Sequence, residues 1–107
     1  TDVREIIADP RTEIYLSSVS VWEIAIKAAK GRLLLPESPE KFVVSRLRSY
    51  SFQALPVQIS HAACVYELPE HHADPFDRLL ISQSQLESLP LLTKDLLIQK
   101  YAIETVW

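Results

Sequence analysis

The 107-residue sequence has one glycine, one cysteine and no methionine. A single cysteine excludes an internal disulfide, and Cys64 lies in a helical apolar pattern that reads as a buried thiol. No apolar run approaches the roughly twenty residues that cross a bilayer, and no charged-then-apolar leader opens the chain. The expectation is therefore a soluble, cytoplasmic protein with no membrane segment. A basic excess is also missing. The formal net charge is −3, which argues against binding nucleic acid by bulk electrostatic attraction alone, so contact with RNA or DNA must use bound metal ions or local basic patches. Low-complexity linkers and repeats are absent too. What remains, with 48% hydrophobic residues, suits one compact domain over residues 1–107 with a real core.

Helical and strand-like segments alternate along the chain, which is the α/β signature. Val3 to Ala8 reads as a helix stopped at Asp9-Pro10, and Ile14-Tyr15-Leu16 as a strand. Ser20 to Lys30 reads as a helix closed by Gly31, with Ser20 as N-cap and Glu23 at N3 in a capping box. Residues 40–49 form an amphipathic helix, Phe52 to Val57 a strand, and His61 to Leu68 a helix. Leu91 to Asp95 is a short buried strand ending in a polar turn, and Ala102 to Trp107 a last strand.

The most informative stretch is His71-His72-Ala73-Asp74-Pro75-Phe76-Asp77-Arg78-Leu79-Leu80-Ile81. Asp74 reads as an N-cap and Pro75 as the first helical residue, where a missing N–H costs nothing. Asp77 then falls at N3, so two carboxylates stand at the mouth of an apolar helix. Taken singly, each acid is explained by capping, which stabilises a helix by about 1 kcal/mol and needs no function. Asp95 shifts the balance. In an open parallel sheet the functional crevice lies at the carboxyl ends of the strands, and Glu23, Asp77 and Asp95 all fall at strand-to-helix junctions, so they are expected to converge on one rim. Several carboxylates on a rigid rim, with the rest of the shell left to water and phosphate, are what Mg²⁺ or Mn²⁺ requires.

Val19-Ser20-Val21-Trp22-Glu23-Ile24-Ala25-Ile26-Lys27, Asp74-Pro75-Phe76-Asp77-Arg78-Leu79-Leu80-Ile81 and Thr93-Lys94-Asp95, in this order, resemble the PIN-domain ribonucleases, closest to the VapC toxins of toxin–antitoxin pairs. The resemblance runs over essentially the whole chain. It implies an α/β, PIN-like three-layer fold with a central parallel sheet flanked by helices. It also implies a cluster of acids binding Mg²⁺ or Mn²⁺, and cleavage of RNA phosphodiesters by metal-activated water. Glu23, Asp77 and Asp95 match the second, third and fourth acids of that cluster, and Asp74 a further acid usual in this branch. A cognate antitoxin and a homodimer are the implied protein partners.

One position departs from the pattern. Family members open with an apolar strand ending in an aspartate that ligates metal, whereas this sequence opens at Thr1-Asp2-Val3, and Asp2 has no apolar strand before it. The expectation is a PIN-like domain lacking that strand. Two alternatives stay open: an inactive PIN-like fragment or module that binds an antitoxin or another protein, and a plain α/β domain whose acids are all caps. Among the other polar residues, His72, Arg78 and Thr93 are candidates for substrate contact. Lys27 is placed for an i,i+4 pair with Glu23. Trp22 and Trp107 read as core or dimer-interface residues.

Overall fold

The computed structural model describes residues 3–107; Asp2 lies outside them. Helix α1 spans Val3–Ala8, β1 Tyr15–Ser17, α2 Ser18–Ala29, α3 Pro39–Ser49 and β2 Gln53–Leu55. They are followed by α4 (Ile59–Cys64), α5 (Pro75–Glu87), β3 (Leu91–Leu92) and β4 (Thr105–Val106), with 3-10 turns at Val65–Glu67 and Ile98–Lys100. The described residues fall into two compact units, one of Ile7–Pro56 and one of residues 3–6 with Val57–Trp107.

In the Ile7–Pro56 unit β1 and β2 pair in parallel, Tyr15 with Gln53, Leu16 with Ala54 and Ser17 with Leu55. Parallel strands need a crossover, which α2 and α3 supply, packed on each other with Val19 and Val43 buried. Helix α2 does not start where the sequence suggested. Its N-cap is Ser17, whose hydroxyl accepts the Val19 N–H at 3.0 Å, so the expected Ser20–Glu23 capping box does not form. The strand ladder ends at Ser17 in extended geometry, and the chain turns helical there, placing Ser20 already inside the helix. The C-terminus follows expectation. Gly31 takes φ +71°, and the Gly31 and Arg32 N–H groups donate to the carbonyls of Ala28 and Lys27 at 3.1 and 2.9 Å, a Schellman closure. Helix α3 is capped by the Ser38 hydroxyl, with Pro39 at the first turn. Strand β2 is shorter than the expected Phe52 to Val57, because Pro56 has no N–H for a ladder.

In the other unit β3 and β4 also pair in parallel, Leu91 with Thr105 and Leu92 with Val106. Leu68, Ile81, Ile98 and Tyr101 form its core, with Leu91 and Ile103 packed against them. The expected last strand, Ala102 to Trp107, contracts to Thr105–Val106, since the Ile103 N–H turns back to the Tyr101 carbonyl at 2.8 Å. Helix α4 begins at Ile59 rather than His61, because the His61 ring reaches back and its Nδ1 accepts the Gln58 N–H at 3.0 Å. His61 is fully buried; its Nε2 lies 2.8 Å from Glu87 Oε2, and its carbonyl accepts the Ser82 hydroxyl at 2.6 Å. Both ring nitrogens have partners, so His61 is a satisfied core histidine. Cys64 itself is half-buried, not buried as expected, because it closes α4. Trp22 and Trp107 are also not core residues: they are 56% and 59% exposed, and the Lys94 ammonium lies 5.4 Å from the Trp107 ring centroid. Helices and parallel strand pairs together give the α/β class.

Candidate metal centre

The stretch from His71 to Asp77 forms the site as a chain of local bonds. Asp74 caps α5, its Oδ1 accepting the N–H of Phe76 at 2.8 Å and of Asp77 at 3.4 Å. Pro75 then occupies the first helical position, and Asp77 stands in the first turn, as the sequence implied. Asp95 follows β3 in a loop that its own neighbours shape. The Asp95 N–H donates to Thr93 Oγ1 at 3.1 Å, and Asp95 Oδ1 accepts the Leu97 N–H at 2.8 Å. That N–H is the main reason the Asp95 carboxyl is held below the ordinary carboxylate range; burial pushes the other way, and the His72 contact adds to the lowering.

His72 joins the two acids. Its Nε2 lies 3.0 Å from Asp77 Oδ2 and 3.2 Å from Asp95 Oδ2. Among the described residues, ligand atoms of His72, Asp77 and Asp95 all lie within 4.8 Å of one another. Like-charged carboxylates repel, so such an approach needs a proton donor or a cation between them. The residues fit a hard divalent ion: the carboxylates supply oxygen, and both remain partly open to the water that Mg²⁺ retains.

Two residues hold the His72 loop. Tyr101 is buried, and its hydroxyl accepts the N–H groups of His71 and His72 at 3.1 and 2.9 Å while donating to the Pro69 carbonyl at 2.8 Å. The Arg78 side chain is only 11% exposed. Its guanidinium donates to the carbonyls of Pro69, His72, Val65 and Leu68 at 3.0 to 3.4 Å and to Tyr101 Oη at 3.3 Å. Arg78 is thus a clamp on this loop. Sequence reasoning missed Tyr101 altogether; the available signal was that a buried tyrosine hydroxyl must find partners.

Of the residues singled out in the sequence, Asp77 and Asp95 are brought together, with His72 between them. Asp74 is committed to the cap, and Thr93 to the Asp95 turn. Glu23 belongs to the Ile7–Pro56 unit, where it lies in the second turn of α2, half-buried, with Lys27 Nζ 3.0 Å from its Oε2. Capping does not explain Glu23, since the helix starts a turn before it.

The PIN-domain family profile matches residues 1–104. The chain belongs to the PIN-domain family. Within 62 residues, this PIN domain is 39% identical to Ribonuclease VapC16 of Mycobacterium tuberculosis (strain ATCC 25618 / H37Rv). That similarity covers 58% of the chain and 44% of the relative, so the chain spans less than half the length of the curated protein it matches. No solved structure matches this chain. Among the described residues, no helix is long and apolar enough to cross a membrane.

Proposed function

We propose that this PIN domain is a metal-dependent endoribonuclease, the toxin component of a toxin–antitoxin pair, cutting RNA phosphodiesters. The observation that carries this reading is the meeting of Asp77 at the start of α5 with Asp95 beyond β3, in a chain similar to a protein named as a ribonuclease. Asp77 and Asp95 hold Mg²⁺ or Mn²⁺ through carboxylate oxygen. Glu23 is a further acid of the reaction on the family resemblance. A bound divalent ion supplies charge stabilisation at the phosphate and a more acidic water. The chain's own groups orient that chemistry: Thr93 shapes the Asp95 loop, and Asp74 sets the helix start that presents Asp77. With a net charge of −3, the chain depends on the ion and on local basic side chains to engage RNA. The reading takes residues 1–107 as one functional domain, working in the cytoplasm as a homodimer restrained by a cognate antitoxin.

The test is RNA cleavage by the chain in Mg²⁺ or Mn²⁺ and in EDTA, beside Asp77→Asn. Cutting that needs metal and is lost in the folded variant supports the reading. Cutting in EDTA, or an Asp77→Asn variant at the wild-type rate, overturns it. Absence of any cutting, with metal binding retained, favours a module that binds its partner without turnover.

A further inference from the structure

His72 is held on every side. Its backbone N–H donates to Tyr101 Oη at 2.9 Å, its carbonyl accepts from Arg78 Nη1 at 3.4 Å, and its ring Nδ1 accepts the Asp74 N–H at 3.1 Å. The last contact decides the chemistry of the ring. A backbone N–H donates only to a lone pair, so Nδ1 carries no proton, and the proton of the imidazole stands on Nε2. Nε2 in turn faces Asp77 Oδ2 and Asp95 Oδ2 at 3.0 and 3.2 Å, two acceptors that such a proton satisfies.

Resting on the metal-binding reading above, we propose that His72 is the positioning residue of this site: its Nε2–H draws the Asp77 and Asp95 carboxylates together, and the ring is not a ligand of the cation they bind. Ligation through Nε2 requires a lone pair there and therefore a proton on Nδ1. That proton would point at the Asp74 N–H, setting two donors against each other across 3.1 Å. Asp74 cannot yield readily, because it is the N-cap of the helix that presents Asp77. The carboxylates lose little by accepting from His72. Each oxygen has two lone pairs, so one accepted N–H leaves room for a cation. The donor set seen by the ion is then oxygen alone, the set that suits Mg²⁺ and Mn²⁺ rather than metals that favour imidazole.

Three measurements on the whole chain decide the matter. In ion-free protein labelled with ¹⁵N at histidine, long-range proton–nitrogen correlation, with the His72 signals identified by their loss in His72→Gln, is expected to show the proton on Nε2. A proton on Nδ1 overturns the proposal. In the Mn²⁺-loaded chain, pulsed EPR is expected to show no directly coordinated imidazole nitrogen; such a nitrogen, absent in His72→Gln, overturns it as well. Calorimetric affinity for Mg²⁺ and Mn²⁺ is expected to fall about 10- to 100-fold in His72→Ala, the usual loss when a residue supporting a ligand is removed. His72→Gln, which keeps an N–H donor, is expected to recover part of it. Wild-type affinity in His72→Ala counts against positioning. If the wild-type chain binds neither ion, the metal-binding reading fails on its own account. The nitrogen spectrum of ion-free protein then still decides whether His72 donates to the two acids.

Discussion

The Tyr101 hydroxyl accepts the backbone N–H of His72 at 2.9 Å across 29 positions of sequence. The same oxygen accepts the His71 N–H and donates to the Pro69 carbonyl, so one side chain of the core sets the course of the loop that enters α5. The loop in turn carries the ring that stands between Asp77 and Asp95. Packing and the site are thereby joined through a single phenol.

Tyr101→Phe keeps the ring in the core and removes the hydroxyl. It leaves the His71 and His72 N–H groups without their acceptor, at a cost of about 1 to 3 kcal/mol. Urea unfolding is expected to show that loss, and the His71 and His72 amides are expected to exchange faster with solvent. Unchanged stability together with unchanged exchange would refute the clamp.

The start of α2 separates two serines. Ser17→Ala is expected to cost about 1 kcal/mol through loss of the cap on Val19, whereas Ser20→Ala, inside the helix, is expected to cost much less. Thermal melts of the two variants check the order. A larger loss for Ser20→Ala would place the helix start three residues later.

Metal is expected to stabilise the fold. An ion that binds only the folded chain, at a concentration about 100 times its Kd, adds about 2.7 kcal/mol by mass action. For a domain of this size, each kcal/mol raises the melting midpoint by roughly 4 to 8 °C. Differential scanning calorimetry across a Mg²⁺ titration should show the rise in the wild type and not in Asp77→Asn. An equal rise in both would remove Asp77 from the ion.

The Asp95 carboxyl is expected to remain ionised below the ordinary carboxylate range, mainly because the Leu97 N–H donates to it. A carboxyl whose pKa is lowered by folding contributes stability that is present above its unfolded value of about 3.9 and is lost as pH falls through the folded value. Carboxyl ¹³C titration in EDTA should give Asp95 a midpoint below that of an unstructured aspartate. Asp95→Asn should flatten the acid limb of the stability curve. A midpoint above the unfolded value would contradict the geometry.

Much of this molecule is written locally. The Asp74 cap, Pro75 at the first helical position and Asp77 in the first turn involve residues within three positions of one another, and short-range hydrogen bonding with the fixed φ of proline dictates them. The closure of α2 at Gly31 is equally local, since a left-handed residue costs glycine little. Ser17 and Ser20 show where local signals stop. Both residues can cap, and the choice depends on where the ladder between β1 and residues 53–55 ends.

The sequence by itself determined the α/β alternation, the closure of α2 at Gly31, the cap of α5 and the place of Asp77 in its first turn, because periodicity and capping act over a few residues. Only the tertiary structure decided that His72 stands between Asp77 and Asp95, that Arg78 and Tyr101 hold its loop, and that His61 is sealed in a core. Each of these rests on bonds between groups distant in sequence, such as the 23 positions between His72 and Asp95. The partners of such a bond are chosen by how the core packs, and no local pattern carries that information.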